Sequence, residues 1–122
     1  MNEKTKYFRD LAEATDKSDY RTLTRLLYFQ VLHVMCDLLK TKGRRVKGRV
    51  NHVDVRWWFI KLFNLSEEIR DEIDEWKEAR ENVDYKREEQ KYYSEERLKK
   101  YIVAMRKFIE QHQINLFKKS EI

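Results

Sequence analysis

The sequence predicts an all-α fold: an up-and-down bundle of four to five helices around a long central helix. Three observations carry this. Proline is absent and glycine occurs twice, at Gly43 and Gly48, so few segments suit tight hairpins. Charged residues make up 40% of the chain, the proportion expected of helices with solvated outer faces. The stretch 21–40, RTLTRLLYFQVLHVMCDLLK, is apolar on almost every face. A surface helix needs one apolar stripe; a helix apolar nearly all round is buried by its neighbours. At 122 residues the chain is sized for one domain with a single core, taken as residues 1–122.

In order, residues 2–14 read as a first helix with Tyr7, Phe8 and Leu11 as its apolar contacts. Ser18 or Asp19 then caps the central helix, accepting from free backbone N–H groups. Its two adjoining stripes are Leu23, Leu27, Val31, Val34, Leu38 and Leu26, Phe29, Leu32, Met35, Leu39. Gln30, His33 and Asp37 interrupt it too often for a membrane span. Gly43 suits its C-terminal stop, where a positive φ is needed. A connector follows over 43–51. In HVDVRWWFIKLF, residues 52–63, Val53, Trp57, Ile60 and Phe63 have helical spacing while Val53, Val55 and Trp57 alternate like a strand. No partner strand is visible, so helix is expected. Trp57, Trp58 and Phe59 in succession cover more than one face. At least one must therefore pack away from the core, against the connector or another chain.

Ser66 starts the next helix, with Glu67 and Glu68 in the first turn where the macrodipole favours anions. Ile69, Ile73, Trp76, Ala79 or Arg80, and Val83 form its inner stripe. A break is expected in the polar, tyrosine-bearing stretch 85–93. Ser94 caps a last helix to about residue 118, with Leu98, Ile102, Met105, Ile109, His112 and Leu116 as its inner seam.

The net charge is +5, and its distribution is uneven. Lys40, Lys42, Arg44, Arg45, Lys47 and Arg49 occur with no acid among them, whereas 67–81 is mostly acidic. Clustered Lys and Arg release counterions from nucleic acid, so Arg44, Arg45 and Lys47 are candidate phosphate contacts, with His52 beside them. The alternative is a solvated loop. The single cysteine, Cys36, excludes an internal disulfide, and no cysteine/histidine cluster, Glu-x-x-His pair or phosphate-cradling glycine loop is present. No cofactor or metal is therefore expected. No signal-peptide pattern opens the sequence, so a cytoplasmic location is expected. His33 is expected as a hydrogen-bonded core histidine and His112 as structural or interfacial. Arg80, Asp84 and Tyr85 group at one helix end. Arg80 and Asp84 form an i,i+4 pair, worth about 0.2–0.5 kcal/mol if exposed. Alternatively the arginine holds a phosphate while the tyrosine stacks or donates.

Several of these residues fall in the order found in a known family. Tyr28, Phe29 and His33 on the long helix, Leu38, Leu39 and Gly43 at its end, and His52 opening the next helix match in sequence. Arg80, Asp84 and Tyr85 then match an Arg-x-x-x-Asp-Tyr signature, before a last helix with Phe108 and Ile109. Over residues 19–111 the chain resembles the HEPN domains, specifically their small prokaryotic branch. The resemblance implies a dimerising helical bundle with the arginine motif near the dimer cleft. It also implies binding of a nucleotide, RNA or a small nucleotidyltransferase partner, as in toxin–antitoxin pairs. Many HEPN proteins are metal-independent ribonucleases that use an arginine followed four to six residues later by histidine. Here those positions are Asp84, Tyr85 and Lys86, so only Arg80 carries over as a catalytic candidate. Two other readings stand beside binding: a ribonuclease toxin with a non-standard partner residue, and a structural interaction protein.

Overall fold

A computed structural model describes residues 3–45, 52–85 and 92–120; at 52, 53, 85 and 113–120 the backbone alone is described. The described residues form five helices and no strand: α1 (Glu3–Ala14), α2 (Tyr20–Thr41), α3 (His52–Leu62), α4 (Glu67–Tyr85) and α5 (Glu95–Ser120). The stretch 52–62 is thus helical. α2 packs against each of the other four helices, and every residue of its two stripes is buried except the half-buried Phe29. No described helix is long and apolar enough to cross a membrane.

Local chemistry sets the helix ends. The Asp19 carboxylate accepts from the Thr22 N–H at 3.2 Å, so Asp19 rather than Ser18 caps α2. Ser66 and Ser94 do the same for α4 and α5, accepting from the N–H groups of Ile69 and Arg97. Gly43, at φ +80°, ends α2 in a Schellman turn: Gly43 N–H donates to Lys40 O and Arg44 N–H to Leu39 O. α3 ends the same way, with Asn64 taking the left-handed position at φ 48° and Leu65 N–H donating to Ile60 O. Asparagine is the residue other than glycine that most readily tolerates this conformation.

Two helix faces differ from expectation. On α1 the buried positions are Thr5 and Ala12, with Phe8 half-buried between them, while Tyr7 and Leu11 are exposed. On α3 the buried residues are Val55 and Phe59, one turn apart, while Trp57 is exposed and Ile60 and, just past the helix end, Phe63 are half-buried. On α4 the expected stripe is buried at Ile73, Trp76 and Ala79, with Val83 packed against the core; its first member, Ile69, is exposed. A single stripe on a short helix leaves a rotation of one residue undecided; the neighbours that cover the helix decide it.

His112 packs on Phe108 and Phe59, at ring separations of 4.3 and 6.2 Å, so it is part of the core wall. Burial pushes its pKa below the usual histidine value. The unfolded chain therefore binds this proton more readily than the folded one. Stability is full above the ordinary pKa of about 6.5 and is lost as pH falls through it toward the depressed value. The melting temperature should drop between pH 7.5 and 5.5, and His112→Phe should lessen that drop. An equal drop in both proteins would exclude His112 as its source.

Candidate functional site

α1 and α4 both run antiparallel to α2. Phe8 stacks on Phe29 and His33, and Arg80 and Asp84 lie against Phe29 and Arg25. This arrangement brings the C-terminal end of α4 to the N-terminal half of α2. Arg21 on α2 reinforces the junction, donating from Nη2 to Asn82 O and Val83 O at 3.5 and 3.4 Å. A cation there meets the negative end of the α4 dipole. The buried Asn82 side chain accepts from Tyr93 N–H at 3.0 Å, fixing the chain where it approaches α5.

Between α1, α2 and α4 lies an open cleft of about 490 Å³. α1 contributes Tyr7, Phe8 and Leu11, α2 contributes Arg25, Leu26 and Phe29, and α4 contributes Arg80 and Asp84. The two exposed apolar residues of α1 are thus lips of this cleft. Arg80 Nε pairs with Asp84 Oδ2 at 3.1 Å, and Arg25 Nη1 reaches Asp84 Oδ1 at 4.0 Å. The Arg80 guanidinium also sits 5.1 Å from the centre of the Phe29 ring. From there a run of stacked rings continues inward: Phe29 on Phe8 at 5.2 Å, then Phe8 on His33 at 5.5 Å. The cleft therefore holds two guanidinium groups against one carboxylate, with aromatic surface beside them.

One expectation is corrected here. The Arg80–Asp84 pair is not a solvated surface pair: its side chains are 12% and 15% exposed. Phe29 and Arg25 shield it from water. Beneath it lies Tyr28, almost wholly buried; burial pushes its hydroxyl up to about 12 against the opposing pull of Arg80 and Arg56. Tyr28 is thus a neutral phenol near pH 7, unsuited to act as a base. Burial likewise holds the Cys36 thiol at about 11, in its unreactive form.

Of the other residues singled out from sequence, Arg44 and Arg45 are exposed at the far end of α2. Seventeen residues of helix between Arg25 and Lys42 span roughly 25 Å at about 1.5 Å per residue. Arg44 and Arg45 are thus not brought to the cleft with Arg80. Lys47 and the side chains of His52 and Tyr85 lie outside the described residues. Arg25 was not singled out from sequence. It is, however, the one formally charged residue between 22 and 36, within the most apolar stretch of the chain. That isolation was a readable signal.

No family model, curated protein or solved structure matches this chain.

Proposed function

We propose that this is a HEPN-like helical protein whose α1–α2–α4 cleft binds the phosphate of a nucleotide or an RNA end. Supporting this is one arrangement: Arg25 and Arg80 converge on Asp84 beside the faces of Phe29 and Phe8. Guanidinium groups match phosphate in planar, two-pronged geometry. Flat rings next to them suit a base or sugar face. Asp84 holds the two forks in place and leaves the cleft with a surplus positive charge.

Binding without cleavage is the version supported best. Acid–base cleavage needs a proton carrier within hydrogen-bond reach of the scissile group. The described histidine nearest Arg80 along the ring stack is His33, which is buried, packs flat on Phe8 and does not line the cleft.

Calorimetric titration with the four nucleoside monophosphates tests the reading. At least one should bind at low salt. Arg25→Gln and Arg80→Lys should each weaken it about ten- to a hundred-fold, the range for losing a charge-assisted hydrogen bond. Single-stranded RNA incubated with the protein should stay intact. Failure of every monophosphate to bind at millimolar concentration, or equal binding by Arg80→Lys, would refute the proposal.

A further inference from the structure

The corner where α2 meets α3 carries a second arrangement, independent of the cleft. Arg44, just beyond the α2 Schellman turn, lies over the Trp58 ring at 3.8 Å. Trp58 meets Trp57 edge-on at 4.8 Å, and Lys61 lies 5.6 Å from the Trp57 ring centre. Lys42 lies 5.4 Å from the Phe63 ring. The three successive aromatics are thus divided. Phe59 is core at 1% exposure, Trp58 is half-buried under the connector arginine, and Trp57 is 51% exposed. Trp57 thus keeps about half of its surface in solvent beside these cations. Cations flank it on both sides in the chain: Lys40, Lys42, Arg44 and Arg45 before it, Lys61 after it. Asp54 is exposed one turn before Trp57 on α3.

We infer that this corner is a platform for single-stranded nucleic acid. Trp57 stacks a base, while Lys42, Arg44 and Lys61 contact the adjoining phosphates. An exposed aromatic side chain among cations suits strand binding without sequence preference, because every base has a flat face and every nucleotide a charge. A duplex keeps its bases stacked internally and offers none to Trp57. A second copy of the chain is a poorer occupant. A two-fold interface sets a patch against itself, and here that would oppose Lys42, Arg44, Arg45 and Lys61 to their own copies.

Fluorescence anisotropy with a labelled twelve-residue oligouridylate at low salt tests this. The parent should bind it, and bind the matching RNA duplex more weakly. Trp57→Ala should bind about five- to a hundred-fold more weakly, the range for one base–aromatic stack. Trp57→Phe should restore most of the affinity, and circular dichroism should show both variants folded. Arg44→Ala and Lys61→Ala should each flatten the log–log salt slope by about 0.7. Trp57→Ala, which lies outside the cleft lining, should leave nucleoside monophosphate binding unchanged, so failure here and failure of the cleft reading are separate results. The inference is overturned if the parent does not bind, if Trp57→Ala binds like the parent, or if duplex is preferred. It is also overturned if sedimentation shows Trp57→Ala turning a dimer into a monomer with RNA affinity unchanged, which would make the corner a self-association face.

Discussion

Replacing Leu32 by alanine should remove about 2–5 kcal/mol of stability, the range for deleting three buried carbons and leaving a partly collapsed cavity. Leu32 is 2% exposed at the middle of α2, the helix that all four others pack on. A cavity there has little freedom to close, because shifting α2 toward it would loosen contacts on the opposite side. Whole-domain stability is typically about 5–15 kcal/mol, so a loss of this size is a large fraction of it. Val103→Ala is the control: Val103 is 52% exposed on α5, and such surface changes usually stay within about 0.5 kcal/mol. Urea unfolding of both variants checks this. A midpoint for Leu32→Ala within a few tenths of a kcal/mol of the parent would mean that the core is not built on α2.

What was legible in the sequence follows from how many constraints acted on each segment. α2 was readable because two adjacent stripes agree over five turns, and no rotation of the helix exposes both. The caps were readable because Asp19, Ser66 and Ser94 each act on an N–H group three residues away. α3 was harder: Val53, Trp57 and Ile60 have helical spacing, yet Val55 and Phe59 turn inward because the core lies on that side. In the candidate site the Arg80–Asp84 spacing was visible, but its burial was not. That burial comes from Phe29 and Arg25, more than fifty positions away in the chain. The same antiparallel crossing that brings them together carries Arg44 and Arg45 to the opposite end of α2. A basic run and an arginine motif that appear as neighbours in composition thus belong to different ends of the bundle.

Breaking the Arg80–Asp84 pair should destabilise the fold far more than its i,i+4 spacing implies. Exposed pairs of this kind contribute roughly 0–1 kcal/mol, because water screens them. Removing one partner of a fully buried pair costs about 3–5 kcal/mol, since the other charge is left without compensation. At 12% and 15% exposure, with one side open to the cleft, the pair lies between these limits. Arg80→Ala should therefore cost about 2 kcal/mol. Arg25, at 4.0 Å from the other carboxylate oxygen, compensates only part of the loss. Asp84→Ala should cost a similar amount, because it leaves Arg80 shielded by Phe29 and facing Arg25 with no anion between them. The double variant Arg80→Met, Asp84→Leu should lose much less than the sum of the single changes. Apolar side chains of similar volume fill the space without a charge to desolvate. Urea unfolding of the parent, both single variants and the double variant measures this coupling. If Arg80→Ala shifts stability by less than about 0.5 kcal/mol, the pair behaves as a solvated one. Asp84 would then not be what holds the guanidinium groups in position to receive a phosphate.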